Sequence, residues 1–157
     1  MPTHYQGTSR ETLALNTFIK LTRSVESLLN RLSQRGTQDG LTPSQFGVLE
    51  TLYHLGPMCQ SELGAKLLRS SGNITMVIDN LEKQRLVHRE RHPDDRRMVR
   101  VTLTDVGREH IAAIFPRHLE SIVAEMGVLD PQEQETLGAL CRKLGLGVSA
   151  SHPEAEG

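Results

Sequence analysis

The 157-residue chain is predicted to adopt a mainly α-helical fold with a small β-hairpin in its middle. Over most of its length, apolar residues recur at three- and four-residue steps, the period of an amphipathic helix. Two short segments on either side of residue 95 instead alternate apolar and polar residues, as half-buried strands do. The composition, 37% hydrophobic and 24% charged, is typical of a globular domain.

The first two helices have recognisable boundaries. Residues 11–34 carry an apolar stripe that is wider than one neighbouring helix requires, and a glycine-bounded segment follows them. Thr42 then supplies an N-cap, Pro43 a first helical residue and Gln45 the third position of a capping box. We expect this second helix to end at residues 56–57, a Gly-Pro pair.

Two further helices joined by a tight turn are predicted next. A short helix begins near Gln60, and residues 70–72, Ser-Ser-Gly, separate it from its successor. That successor buries a narrow edge of aliphatic residues at helical spacing, made of Ile74, Val77, Ile78 and Leu81. Its remaining surface points outward and carries Asn73, Thr75, Met76, Asp79, Asn80 and Lys83.

The pattern then changes to the period of β-strands. Residues 86–91 and 98–103 alternate in the manner of strands, and residues 92–97, His-Pro-Asp-Asp-Arg-Arg, have the composition of a turn. Because the connection is so short, the two segments predict a β-hairpin.

Two helices complete the predicted fold. Thr104 is expected to cap a long helix over roughly residues 105–127. Residues 130–133, Asp-Pro-Gln-Glu, form a second capping box that starts a last helix, which ends near Gly145. The polar residues that follow it are expected to be disordered.

Charge is unevenly distributed along the chain. The net charge of −1, taken alone, argues against a nucleic-acid-binding protein. Residues 66–100 nevertheless hold nine basic and five acidic residues, a local charge of +4, while the remainder carries −5. Only 3% of the residues are aromatic and none is Trp, so we do not expect a stacking platform for single-stranded nucleic acid.

Two short helices, a tight turn and a basic hairpin follow one another in the order of a winged helix-turn-helix, which predicts binding to double-stranded DNA. In the major groove, Asn73 would contact an adenine edge, and Thr75 or Met76 would pack on a thymine methyl group. Ser70 or Ser71 would cap this helix, whose first amides suit a phosphate. The hairpin would place Arg96 and Arg97 in the minor groove and Arg89, Arg91 and Arg100 on phosphates.

Each of these features also has an ordinary structural interpretation. Asn73 alone is more often a solvated surface residue, and Ser-Ser-Gly is first of all a helix boundary. A basic hairpin is commonly a solvated edge that resists aggregation. The order of the features, and their coincidence with the +4 segment, favour DNA binding over these separate interpretations.

Three segments resemble the MarR-type transcription regulators. Residues 41–49, Leu-Thr-Pro-Ser-Gln-Phe-Gly-Val-Leu, look like the start of that family's second helix. Residues 95–107 resemble its wing signature DxR…LTxxG. Residues 81–89 are similar to its link from recognition helix to wing, although Gln84-Arg85 stands where Lys-Gly is usual.

The resemblance covers about residues 10–145 and implies an order of domains. It implies an N-terminal dimerisation helix at 9–36, a winged helix-turn-helix domain at 41–104 and C-terminal dimerisation helices at 105–146. The tail at 147–157 would be disordered. It further implies a homodimer on a pseudo-palindromic operator, commonly a repressor released by a small aromatic ligand or by thiol oxidation.

Individual residues take roles by the same resemblance. Asp95 would brace the wing while Arg97 enters the minor groove. Ser71, Asn73, Thr75 and Met76 would face the major groove. Many relatives have Arg near position 76, and since Met cannot recognise guanine, the resemblance implies an A·T preference at that base pair.

A thiol is one candidate for signal input. Cys59 precedes Gln60 at an N-cap position, where with Glu62 it imitates a capping box with sulfur in place of oxygen. The helix dipole would make such a thiol more reactive, although Cys59 is also compatible with a small, weak cap. Cys141, in the apolar last helix, is expected to pack in the core or in an interface.

A ligand pocket is the other candidate, since some family members bind small aromatic acids between the dimer helices and the winged domain. Six side chains are candidates to line it, with His54 as the anion partner: Phe18, Tyr53, His54, Met58, Phe115 and His118. All six are equally compatible with ordinary core positions.

Other functional classes have less support. No GxSxG, HExxH, P-loop or GxGxxG motif is present, so an enzyme is the weaker alternative, and we expect no metal site and no cofactor. A dimeric adaptor with a winged-helix fold is a further alternative, although it has no need of Arg96 and Arg97. With no recognisable signal peptide or apolar spanning segment, we expect a cytoplasmic protein that does not bind membranes.

Overall fold

The computed structural model describes residues 4–67 and 71–147, with the backbone alone at residues 71 and 72. The elements of these residues are α1 (Ser9–Gln34), α2 (Pro43–Leu55), β1 (Met58–Cys59), α3 (Gln60–Lys66), α4 (Ser71–Lys83), β2 (Val87–Arg91), β3 (Val99–Leu103), α5 (Asp105–Met126) and α6 (Pro131–Leu146). This arrangement confirms the predicted mainly α-helical fold with a β-hairpin wing. Ser70 and the tail beyond Gly147, about which the sequence made predictions, lie outside the described residues.

Local capping interactions set three of the helix starts. The Thr42 hydroxyl accepts from the backbone N–H of Gln45 at 3.2 Å, and Asp130 accepts from that of Glu133 at 2.8 Å, as predicted. The start of α1 at Ser9 is also a capping box, formed by Thr8 and Glu11, which the sequence analysis overlooked. Each box satisfies amides that have no partner inside the helix.

The three strands form one antiparallel sheet in the order β1-β3-β2. The hairpin pairs Val87 with Leu103 and Glu90 with Arg100. On the other edge of β3, Met58 pairs with Val101. The two-residue strand β1 was not predicted, because a segment this short has no detectable alternation.

The core lies between α2, α3, α4 and the inner face of the sheet. It contains the fully buried side chains Phe46, Val48, Leu49, Leu52, Leu63, Ile74, Ile78, Leu81, Val87, Val101 and Ile111. Since a helix and a hairpin must each bury an apolar face, this core fixes α4 and the wing on one scaffold. It thereby positions the candidate site.

The chain divides into two compact units after Ser121, within α5. The first unit contains α1, the core and the wing, and the second contains the end of α5 and all of α6. Among the described residues, none of the helices is both long and apolar enough to cross a membrane.

Candidate nucleic-acid interface

Helix α4 has one buried edge and one exposed surface, as predicted. Ile74, Ile78 and Leu81 are at most 1% exposed and hold the helix against the core. The opposite surface, which we call the α4 face, exposes Asn73, Thr75, Met76, Asp79, Asn80 and Lys83. Ser71 is the first residue of α4. A helix held by a narrow edge presents enough surface to enter a major groove.

The loop of the wing is held by a carboxylate at its tip. One oxygen of Asp95 accepts from the backbone N–H of Arg97 at 3.0 Å and from its Nε at 3.2 Å. These two hydrogen bonds lower the pKa of Asp95, the backbone bond having the larger effect. The Arg97 side chain is nonetheless 92% exposed. Asp95 therefore orients an accessible guanidinium, which is the bracing role that the family resemblance implied.

A second arginine links the loop to the strand that leads into it. Arg91, the last residue of β2, donates from Nη1 to the carbonyl oxygen of Arg96 at 2.8 Å. The backbone N–H of His92 donates to the carbonyl of Met98 at 2.8 Å and closes the hairpin. Both Arg91 and Arg96 are exposed. The tip thus presents Arg91, Arg96 and Arg97 on an ordered backbone.

Arg100 has a partner other than the predicted phosphate. Its Nε and Nη2 donate to Glu90 Oε1 at 3.1 and 2.6 Å across the hairpin. The Thr102 hydroxyl donates to the same oxygen at 3.3 Å, and the bonds from Arg100 lower the pKa of Glu90 most strongly. Because this carboxylate compensates the charge of Arg100, the geometry argues against the predicted phosphate contact.

Arg89 also departs from the predicted phosphate contact. It lies on the inner face of the sheet, opposite Val101 in the register, and its side chain is only 22% exposed. Its guanidinium contacts Asp79 at 2.7 Å and Glu82 at 3.6 Å. The prediction for Arg89 was therefore wrong in direction, and the period of two, which places Arg89 on the same face as buried Val87, is the signal that would have shown it.

Three of the six candidate ligand residues form one aromatic cluster. The ring of His54 lies 5.1 Å from that of Tyr53 and 4.7 Å from that of Phe115, both in edge-on orientation. His54 is exposed, whereas the two aromatic residues are half-buried. Phe18 lies on α1 and is 62% exposed. We call Tyr53, His54 and Phe115 the aromatic cluster.

The other two candidates are core residues, which corrects their predicted role as pocket residues. Met58 lies in β1 and is buried in the core. His118 is 5% exposed, stacks on Phe46 at 4.3 Å and shares a hydrogen bond of 3.2 Å with the hydroxyl of Thr37. Burial lowers the pKa of His118, because desolvation disfavours its charged form.

The two cysteines differ from their predicted environments. Cys59 is the N-cap residue of α3, but its thiol makes no capping hydrogen bond, so the predicted sulfur capping box is wrong. The residue is 6% exposed, since it belongs to β1, and it borders a cleft of about 300 Å³ that Arg97 also lines. Cys141 is exposed on α6, so its predicted packing in the core is wrong.

The described part of the chain contains no group of three His, Cys, Asp or Glu residues placed to hold a metal ion. The site consists instead of the α4 face and the tip of the wing.

Comparison with known proteins gives the same picture. Residues 41–99 match the model of the MarR family. The chain is 37% identical over 133 residues to YkoM, an uncharacterized HTH-type transcriptional regulator of Bacillus subtilis (strain 168), with 85% of this chain and 86% of YkoM covered. It is 31% identical over 137 residues to NicR, an HTH-type transcriptional repressor of Pseudomonas putida, with 82% and 87% covered.

A solved structure of Bordetella bronchiseptica BpsR, which concerns regulation of its DNA binding by 6-hydroxynicotinic acid, superimposes with a TM-score of 0.75 at 25% identity. The match covers 92% of this chain and 98% of that one.

Proposed function

This chain belongs to the MarR family of DNA-binding transcription regulators, not to a family of enzymes, and we propose that it is a homodimeric repressor. It binds a pseudo-palindromic operator and releases it when a small aromatic ligand binds. The observation that carries this mode of DNA binding is the exposed α4 face together with a wing tip on which Asp95 orients Arg97. The repressor role is supported by the likeness to NicR, which is named a repressor.

In this proposal the α4 face reads the major groove. Ser71, Asn73, Thr75 and Met76 lie on the first half of α4, and Met76 favours a thymine methyl group over guanine. Ser70, which precedes the helix, lies outside the described residues. Arg96 and Arg97 at the wing tip enter the minor groove, whose negative potential attracts guanidinium groups, and Arg91 contacts a phosphate.

The homodimer is supported by apolar surface that the single chain leaves in solvent. On α1, four large apolar residues are exposed, namely Leu13, Phe18, Val25 and Leu29. On α6, which has no buried residue at all, Leu137, Leu140, Leu144 and Leu146 are exposed. Contiguous apolar faces of this size mark interfaces, and a second copy of the chain would cover them. The segments 9–36 and 105–146 are thus assigned to dimerisation, and 41–104 to DNA binding.

The aromatic cluster is the proposed effector site. His54 is exposed beside two half-buried rings, so a planar acid would stack on Tyr53 or Phe115 while its carboxylate approaches the imidazole. Phe18, on the exposed face of α1, would approach this site only in the dimer. BpsR, whose DNA binding is regulated by 6-hydroxynicotinic acid, supports a ligand of this class.

Thiol oxidation is the second proposed route of release, and the structure favours it less. A sensing thiol must meet its oxidant, and Cys59 is 6% exposed. The cleft beside it is the feature that keeps this route under test. If it operates, peroxide or a quinone releases DNA from the unaltered protein but not from Cys59→Ser.

Selection of bound fragments from genomic DNA tests the core of the proposal. We expect enrichment of inverted repeats whose half-sites lie about one helical turn apart, roughly 10 base pairs, as a two-fold dimer requires. Arg97→Ala should weaken binding and lower the slope of log K against log salt by about 0.9. Enrichment of asymmetric single sites, or no enrichment, would contradict the proposal.

Two further measurements separate the parts of the proposal. Sedimentation should show a dimer that Leu140→Glu converts to monomer, whereas Val106→Glu, at another exposed apolar position, leaves it intact. Hydroxybenzoates and 6-hydroxynicotinate should release the operator from the unaltered protein, and His54→Ala should need a higher ligand concentration. A monomeric unaltered protein, or release that His54→Ala leaves unchanged, would overturn the respective part.

A further inference from the structure

Arg89 joins three separate elements of the DNA-binding domain through one guanidinium group. Its Nη1 contacts Asp79 Oδ1 at 2.7 Å, and its Nη2 donates to the carbonyl oxygen of Thr75 at 3.3 Å, both on α4. Its Nε donates to the Gln60 Oε1 atom of α3 at 3.2 Å, while Arg89 itself belongs to β2. The planar fork of arginine suits several acceptors in fixed directions, which a lysine cannot satisfy.

The contacts run along one side of α4. Thr75, Asp79 and Glu82 are spaced by four and three residues, so they share a face of the helix. The backbone N–H of Arg89 donates to Glu82 Oε2 at 3.0 Å, which adds a main-chain link between β2 and the last turn of α4. Arg89 therefore holds both the middle and the end of α4 against the base of the wing.

Gln60 closes the network from the other side. Its Nε2 donates to the Thr75 hydroxyl at 2.7 Å while its Oε1 accepts from Arg89. The same carboxamide thus contacts a residue of the α4 face and the arginine that holds α4. Neither Gln60 nor Asp79 was among the residues singled out from the sequence.

We propose that the network of Arg89, Gln60, Asp79 and Glu82 fixes the angle between α4 and the wing, and that it determines operator specificity without contacting DNA. Specific binding requires α4 in the major groove and the wing tip in the adjacent minor groove at the same time. A small rotation of α4 relative to β2 would misplace side chains that recognise bases but leave phosphate attraction intact. Arg89 is thus a positioning residue, and the inference rests on the DNA binding proposed above.

Salt dependence distinguishes this role from a phosphate contact. Removing a phosphate contact lowers the slope of log K against log salt by about 0.9, whereas removing a positioning residue leaves that slope unchanged. Lysine would preserve a phosphate contact because it keeps the charge, but it cannot reproduce the fork of four contacts. Arg89→Lys is therefore the discriminating variant, with Arg97→Ala as the matched variant that removes a proposed DNA contact.

The experiment measures affinity for the selected operator and for unrelated DNA over a salt series. We expect Arg89→Lys and Asp79→Asn each to lose about tenfold in the ratio of the two affinities, comparable with one mismatched base pair, at an unchanged salt slope. The double variant should lose no more than either single one, because both break the same network. Asp79, whose side chain is 49% exposed, provides a variant that keeps the fold if Arg89→Lys does not.

Three outcomes would overturn the inference. An affinity ratio that Arg89→Lys and Asp79→Asn leave intact would show that the network does not set specificity, and additive losses would show that the two residues act separately. A salt slope that falls with Arg89→Met as it does with Arg97→Ala would make Arg89 a phosphate contact. Failure of the unaltered protein to prefer any operator would instead overturn the proposed function, on which the inference rests.

Discussion

The hydroxyl of Thr104 donates a hydrogen bond to the backbone carbonyl of Arg85, with 2.6 Å between the two oxygens. The same hydroxyl oxygen accepts from the N–H of Gly107 at 2.9 Å and so caps α5, as predicted. The N–H of Thr104 donates to the carbonyl of Leu86 at 3.1 Å. One threonine therefore ties the start of α5 to the turn that leads from α4 into β2.

That turn contains a residue in an unfavourable conformation. Arg85 has φ of 61°, in the left-handed region that costs a residue with a Cβ roughly 1–2 kcal/mol. Glycine has no such penalty, although it loses more backbone entropy on folding. We expect Arg85→Gly to raise the free energy of unfolding by about 0.5–1 kcal/mol in denaturant titration. Arg85→Ala, which keeps the strain, should give no gain, and an equal gain would attribute the effect to the arginine side chain.

Gly107 is required by a close approach between two backbones. A Cβ built at this position would lie 1.9 Å from the carbonyl oxygen of Leu86, which cannot move without disturbing the turn. We expect Gly107→Ala to lower the free energy of unfolding by about 3 kcal/mol, at the upper end of overpacking effects.

Gly138 provides the control for that substitution. It lies inside α6 with nothing within 4 Å of an added Cβ, so Gly138→Ala should stabilise the protein by about 0.5–1 kcal/mol. Thermal or denaturant unfolding measures both variants. Similar effects of the two substitutions would contradict the close approach at Gly107.

Stability should fall with pH because of His118. Burial lowers its pKa in the folded protein, so the unfolded chain takes up a proton at a higher pH than the folded one. The contribution of neutral His118 is complete above an unfolded-state pKa of about 6.5 and is lost as the pH falls from there toward the folded-state pKa.

The free energy of unfolding at pH 7.5 and 5.5 tests this dependence. The unaltered protein should lose more stability between the two values than His118→Gln, which retains a hydrogen-bonding side chain near Thr37 but does not titrate. Equal losses in the two proteins would exclude His118 as the source.

The wing offers a matched pair of carboxylates. Asp95 orients Arg97 through two hydrogen bonds, whereas Asp94, its neighbour in the same exposed loop, contributes its backbone N–H to His92. Asp95→Asn and Asp94→Asn remove the same charge. We expect Asp95→Asn to weaken operator binding about threefold to tenfold, a loss of roughly 1 kcal/mol for a less ordered guanidinium. Asp94→Asn should leave binding unchanged or slightly tighter, because it removes a negative charge near DNA.

Fluorescence anisotropy with labelled operator measures both affinities. A loss that is equal in the two variants would mean that the charge of the loop, and not the orientation of Arg97, is what matters.

The boundaries of the predicted elements depended on local interactions, and for that reason the sequence was sufficient. Thr42 with Gln45 and Asp130 with Glu133 are three residues apart, so residue type and spacing alone identify the two capping boxes. The buried edge of α4 likewise follows from helical periodicity. The same holds for the segregation of charge that made a DNA-binding role compatible with a net charge of −1.

The roles of individual charged and polar groups depended on partners distant in the sequence. Arg100 pairs with Glu90 through the hairpin register, and Arg89 reaches Gln60, 29 positions away. Cys59 is buried because it pairs with Arg100 in a strand too short to be recognised. Composition and spacing thus determined where the basic surface lies, because charge and periodicity are properties of the chain. Only the tertiary structure decided which arginines are available to DNA, because an ion pair depends on which carboxylates the fold brings within reach.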